Sequence, residues 1–155
     1  MAPSSELTYS IAQATDHRTV VNLLGELVDE LGPTAQVGRV KDLLDADIAT
    51  ALATANVRIF LAMLEGEAIG LSRGDILTQD PIFRLREDQR CGYIDQMFVR
   101  PAYRDRGVGA KLLALCEQWF RDQGLGHCIL HAAPKAVRFY ARIGYQPNRE
   151  MFKRL

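Results

Sequence analysis

The chain has 155 residues, 48% of them apolar and 25% charged, which fits one globular domain with a substantial core. Nineteen basic side chains balance nineteen acidic ones, so no global charge draws the chain to nucleic acid or to an anionic membrane. Its three cysteines, Cys91, Cys116 and Cys128, include no Cys-x-x-Cys pair, which argues against a disulfide framework or a zinc site and for a reducing, cytoplasmic setting.

Met1 to Ser10 has no basic segment followed by an apolar run, and no stretch approaches roughly 18 consecutive apolar residues, so neither a leader nor a membrane span is expected. Alternation from Leu7 to Gln13 predicts a first strand. Asp16 is placed to cap a helix whose apolar positions, Val20 to Leu31, recur at helical spacing until Gly32-Pro33 stops it. Val40, Leu43, Leu44, Ile48 and Leu52 mark a second helix. Val57–Leu64 and Ala68–Leu77 flank the turn Glu65-Gly66-Glu67 and predict a hairpin.

Gln79 to Arg90 is polar, interrupted by Pro81, and reads as a loop. Tyr93–Val99 reads as a strand ended by Pro101. From Val108 a helical pattern runs through Leu112, Leu113, Leu115, Cys116, Trp119 and Phe120 to Gly124 and Gly126. Ile129-Leu130 predicts a short strand, Pro134–Ile143 a short helix ending at Gly144, and Tyr145–Leu155 a returning strand. No repeat, low-complexity tract or linker interrupts residues 1–155. The order β-α-α-β-β-β-α-β-α-β describes a single mixed α/β domain.

The most informative segment runs from Tyr93 to Gly109. A strand ends, a basic turn with two glycines follows, and a long helix begins. The first turn of a helix has N–H groups with no internal partner, and the helix dipole adds positive potential there. Gly107 and Gly109 allow an anion to approach the backbone, with Arg104 and Arg106 beside it. Those glycines also suit a plain helix start. The strand, arginines and helix in this order favour a pyrophosphate cradle. Gly109-Ala110-Lys111-Leu112 lacks the Gly-Lys-Ser/Thr of a Walker loop, and two glycines late in the chain do not make a dinucleotide fingerprint.

Arg104-Asp105-Arg106-Gly107-Val108-Gly109 resembles the Arg/Gln-x-x-Gly-x-Gly/Ala signature of the GNAT (GCN5-related N-acetyltransferase) superfamily. Ala136-Val137-Arg138-Phe139-Tyr140-Ala141-Arg142-Ile143-Gly144-Tyr145 resembles the family's Ala-x-x-hydrophobic-Tyr-x-x-x-Gly-Phe segment. The resemblance is best from Tyr93 to Leu155; before that only the order of elements matches. It implies a mostly antiparallel central sheet flanked by helices, with two central strands splayed apart. It also implies acetyl-CoA as cosubstrate, its pantetheine arm against the backbone of Met97, Phe98 and Val99 near a β-bulge, and its pyrophosphate on Arg104, Asp105, Arg106, Gly107, Val108 and Gly109. Where many members carry Asn, this chain has Ala133, followed by Pro134 at a helix start.

Acetyl transfer to an amine needs a neutral amine, a polarised thioester and a neutralised thiolate. The resemblance makes Tyr140 the general acid; without it, Tyr140 reads as a core tyrosine beside Phe139. Asp95 is the candidate base, at a place where some polyamine-acetylating relatives carry Glu. Strand alternation puts Tyr93, Asp95, Met97 and Val99 on one face. Asp95 is also readable as a carboxylate held by an arginine or by backbone. His127 and His131 flank a strand and make a poor metal site. Cys91 and Cys128 read as small buried hydrophobes, and the family usually transfers directly. No metal is expected.

The acceptor side implied by the family is roughly Gly32–Asp47 and Thr78–Arg90. These segments offer Asp42, Asp45, Asp47, Asp80, Glu87 and Asp88, but also Arg84, Arg86 and Arg90. A small-molecule amine is the first expectation, with a peptide or protein amine open and a homodimer plausible from family habit. The alternative is a non-catalytic acyl-CoA-binding sensor or interaction module. A nucleotide-binding protein is a weaker third reading.

Overall fold

A computed structural model describes residues 6–32, 40–78, 89–148 and 153–155. Five strands form one sheet in sequence order: β1 (Thr8–Ile11), β2 (Val57–Leu64), β3 (Glu67–Thr78), β4 (Arg90–Val99) and β5 (Cys128–Leu130). The first four are antiparallel, and β5 lies parallel to β4. Among the described residues four α-helices flank the sheet: α1 (His17–Leu31), α2 (Val40–Ala53), α3 (Val108–Asp122) and α4 (Val137–Arg142). The expected order of elements holds through α4. Tyr145–Asn148 and residues 153–155 form no strand, and the other residues of that expected strand lie outside the described ones.

The sheet is buried on both faces, which is why β2 and β3 read as near-continuous apolar runs. On one face, Val20, Leu23 and Leu24 of α1 and Leu44, Ile48 and Ala51 of α2 pack on Ile59, Leu61, Leu71 and Phe98. On the other, Leu112, Leu113, Cys116, Trp119 and Phe120 of α3 pack on Phe60, Ile69, Ile76, Ile94 and Val99. A buried hydrogen bond from Ser72 Oγ to the Leu112 carbonyl (2.9 Å) ties α3 to β3, and Cys116 Sγ adds a 3.3 Å contact to that oxygen. Asp16 departs from its expected role. It precedes α1 but makes no side-chain cap; its carboxylate instead accepts the Gln13 N–H at 2.7 Å.

Helix α3 approaches the sheet closely because two strand residues have no side chain on its face. A Cβ at Gly92 would stand 2.4 to 2.6 Å from three ring carbons of Phe120, and one at Gly74 would stand 2.9 Å from the same ring. Gly92→Ala is therefore expected to cost about 1–3 kcal/mol, the usual penalty for overpacking. Thermal unfolding checks this, and Phe120→Leu in the same chain should recover part of the loss if the ring is the obstacle.

Candidate active site

The register of β4 against β3 shifts at one point. Arg73 pairs with Gln96 and Gly74 with Ile94, so Asp95 is the extra residue of a β-bulge. This overturns the expected alternation. Before the bulge, Gly92 and Ile94 face α3; after it, Met97 and Val99 do. Asp95 lies on the opposite face, where its Oδ2 is 3.4 Å from Arg73 Nε. Tyr93, Asp95, Met97 and Val99 thus do not share a face.

The β4–β5 pairing ends beside the bulge. Its last pair is Ile94 with Leu130, while β4 continues to Val99. Arg100 gives its N–H to the Ile69 carbonyl of β3 (2.9 Å). Ladder alternation therefore turns the backbone of Phe98 towards β3 as well, and that of Met97 and Val99 away from it, to the side β5 has left. The Phe98 side chain is buried against α1 and α2.

The turn after β4 builds the anion cradle. Asp105 (φ 61°) and Gly107 (φ 78°) are both left-handed, and alternation of this kind turns successive N–H groups into a concave nest. Gly107 is the N-cap of α3, and Lys111 is the first to donate to a carbonyl, that of Gly107 at 3.0 Å. The N–H groups of Val108, Gly109 and Ala110 are left at the helix start without helical partners. A Cβ at Gly107 would meet nothing within 4 Å, so the space before the cradle is open. A Cβ at Gly109 would come within 3.2 Å of Met97 Cε and 3.6 Å of Phe139, so a side chain there would crowd Met97. Open space, free donors and a parted strand edge fit the pyrophosphate and pantetheine of CoA.

The two arginines of the turn have different fates. Arg104 does not point into the cradle. Its Nε donates to the Val99 carbonyl at 2.7 Å, its two terminal nitrogens bind the Glu30 carboxylate of α1, and its N–H reaches the Pro101 carbonyl at 3.3 Å. Arg104 braces the turn against α1. Arg106 lies over the Tyr103 ring at 6.0 Å. Arg100 repeats the bracing pattern on Glu26 and Glu67.

Tyr140, on α4, packs edge-on between Phe139 and Tyr145, with ring centroids 5.1 and 5.7 Å away. Burial pushes its phenol above the usual value, so it stays protonated through neutral pH. It lines a cleft of about 1020 Å³ with Cys128, Leu130, His131 and Tyr145. Pro134 opens a short 3₁₀ turn behind Ala133, as the sequence suggested.

His127, Cys128 and His131 share the cleft with Tyr140, whereas Cys91 and Cys116 are buried in the core. His131 Nδ1 is 2.9 Å from the Tyr93 hydroxyl. Burial raises the thiols of Cys91 and Cys128 and pushes that of Cys116 up to about 12, so none is a ready nucleophile. Cys128 Sγ contacts the Tyr145 hydroxyl (3.2 Å), which donates to Glu117 at 3.1 Å. Among the described residues no three His, Cys, Asp or Glu side chains gather as a metal site, and no helix is long and apolar enough to cross a membrane. Of the expected acceptor segments, residues 33–39 and 79–88 lie outside the described ones, Asp80, Arg84, Arg86, Glu87 and Asp88 among them.

The sequence reading missed Arg73 and Asp75. They sit two apart in the buried strand β3, a spacing that already places both on one face. With Asp47 of α2 they surround Asp95. Asp95 still reaches solvent, and partial desolvation raises its carboxyl above its usual range; Arg73 opposes this, while Asp75 and Asp47 reinforce it. A raised carboxyl binds its proton more tightly in the folded state, so stability falls as pH rises through its titration. Asp95→Asn is therefore expected to be at least as stable as the parent at neutral pH, the gain vanishing below the ordinary carboxylate range. Unfolding midpoints across pH 3 to 8 check it; a variant less stable at neutral pH would contradict the shift.

Residues 24–145 match the family described as acetyltransferase (GNAT). An aminoalkylphosphonate N-acetyltransferase of Salmonella typhimurium is 30% identical, over 97% of this chain and 90% of its own length. A GCN5-related N-acetyltransferase from Ralstonia eutropha JMP134 superposes with a TM-score of 0.86 at 22% identity, covering 97% of this chain and 99% of that one. An aminoglycoside N-acetyltransferase solved with CoA superposes at 0.81 with 21% identity, covering 100% and 98%. The chain belongs to the acetyltransferase (GNAT) family and is an acetyl-CoA-dependent N-acetyltransferase.

Proposed function

We propose that this chain, as one domain over residues 1–155, transfers acetyl directly from acetyl-CoA to the primary amine of a small molecule. The observation that carries this reading is the opening at Asp95. There β4 bulges and parts from β5, which leaves a carboxylate on one face and, among the described residues, an edge of β4 with no strand partner beyond Ile94. Acetyl-CoA, when bound, supplies an activated thioester carbonyl. Met97, through its outward backbone groups, and Val99, through its N–H, would receive the pantetheine, with Phe98 as the buried anchor between them; the Val99 carbonyl is held by Arg104. The N–H groups from Asp105 through Ala110, Gly107 and Gly109 at their centre and Val108 in the first turn, would hold the pyrophosphate, with Arg106 supplying charge and Arg104 fixing the turn.

Asp95 is the base. An ordinary ammonium titrates near pH 10 and an ordinary carboxylate near 4, a gap of roughly six units that makes direct proton removal costly. Partial desolvation of Asp95 narrows that gap from the carboxylate side, and desolvation of the bound ammonium narrows it from the other. Tyr140, kept protonated by burial, gives a hydrogen bond and then its proton to the departing sulfur. The Salmonella relative's acceptor class, aminoalkylphosphonates, supports a small amine, and so does the aminoglycoside class of the superposed enzyme.

Two variants separate binding from chemistry. Acetyl-CoA at 100 times its dissociation constant should add about 2.7 kcal/mol, a rise on the order of 5 to 10 °C in unfolding midpoint. Gly107→Glu, which puts a charged side chain in the cradle, should abolish that rise. Tyr140→Phe should keep it and lower turnover by about 10²-fold or more in CoA release with aminoalkylphosphonates and aminoglycosides as acceptors. Unchanged turnover in Tyr140→Phe would remove the tyrosine from the mechanism, and an undiminished midpoint shift in Gly107→Glu would move the cofactor elsewhere.

A further inference from the structure

Arg73 is 8% exposed, and its guanidinium is enclosed by carboxylates from three elements. Nε donates to Asp75 Oδ1 at 2.8 Å and a terminal nitrogen to Asp75 Oδ2 at 2.9 Å, a bidentate pair within β3. The other terminal nitrogen donates to Asp47 Oδ2 of α2 at 2.9 Å. Asp95 approaches Nε only to 3.4 Å and takes no hydrogen bond from it. A 3.4 Å separation lies outside the ordinary range of about 2.7–3.2 Å for N–H···O bonds, so the contact is one of charge alone.

We propose that Arg73 is a positioning residue for acetyl transfer: anchored by Asp75 and Asp47, its guanidinium holds the Asp95 carboxylate on the β4 bulge without claiming the oxygens needed for the amine proton. This rests on the reading of Asp95 as the base. The arrangement solves a conflict. A carboxylate hydrogen-bonded to arginine in bidentate fashion is well placed but weakly basic, since a close opposite charge lowers its pKa by about 1–3 units. A buried carboxylate with no cation beside it is basic but loses its charge, and two neighbouring carboxylates would drive it further that way. Here Asp75 and Asp47 take three of the five Arg73 N–H groups, Nε–H among them, so Asp95 lies beside the cation without a hydrogen bond from Nε and keeps its lone pairs. The charged groups bearing on Asp95 are Arg73 and Asp75 from β3 and Asp47 from α2.

Opposite shifts follow from opposite substitutions. Arg73→Met removes the offsetting cation, so Asp95 should titrate higher. Asp75→Asn removes a like charge and frees Nε to turn to Asp95, which should then titrate lower and serve as a weaker base. The test is carbon-13 titration of the full chain labelled at aspartate carboxyls, with the Asp95 signal identified by its loss in Asp95→Asn. The expected result is an upward move of about one unit in Arg73→Met and a downward move of similar size in Asp75→Asn. The acidic limb of kcat/KM, measured with acetyl-CoA and an aminoalkylphosphonate or aminoglycoside that supports turnover, should move the same way.

An Asp95 signal that titrates alike in parent, Arg73→Met and Asp75→Asn overturns the proposal. If Arg73→Met does not fold, Arg73→Lys and Asp75→Asn decide it. Lysine keeps the charge without the fork, so a parental Asp95 midpoint with lowered kcat and unchanged KM supports positioning. Identical pH–rate profiles for parent and Asp95→Asn overturn the base reading instead, an outcome distinguishable because the titration is read without an amine.

Discussion

One additional residue in β4 sets the geometry on which the rest depends. Without the bulge, Asp95 would either face the apolar underside of α3 or displace Met97 and Val99 from it. With the bulge, both requirements are met: the α3 face stays apolar, and the carboxylate emerges beside Arg73. The same position marks the end of the β4–β5 ladder, so the strand gains a free edge where its carboxylate appears. Of the ion cluster only Arg73 is buried, and taking its guanidinium out of water costs much of what pairing with Asp75 and Asp47 returns.

The cradle divides its tasks between backbone and side chains. Backbone N–H groups at the start of α3 have no helical partner, and left-handed Asp105 and Gly107 shape the turn that presents them. The nearby arginines Arg100 and Arg104 hold the turn to α1 and β3 through Glu26, Glu30 and Glu67, so the donors are fixed before any ligand arrives. Preorganised donors lose little entropy on binding, which suits a cosubstrate that must dock and leave each cycle.

Much of this was readable in the sequence because the signals are local. Helical spacing marked α1, α2 and α3; the Glu65-Gly66-Glu67 turn marked the β2–β3 hairpin; and the order strand, basic glycine turn, helix marked the passage from β4 into α3. The bulge was not readable. Tyr93 to Val99 has the pattern of a regular strand, and only its register against β3 reveals the extra residue. The direction of Arg104 depends on Glu30, 74 positions earlier, which no local pattern encodes. Asp16 and Gln13 show the same limit on a small scale: the capping residue type was visible, its hydrogen-bond partner was not.

The central claim is that CoA docks on the open edge of β4 and the start of α3. Amide chemical shifts in nitrogen-15-labelled protein, followed while acetyl-CoA is added, test it most directly. The largest perturbations are expected at Gly107, Val108, Gly109 and Ala110, followed by Met97 and Val99, with β1 and the α1–α2 face little changed. Saturable shifts concentrated elsewhere, with the amides from Gly107 to Ala110 unmoved, would contradict it.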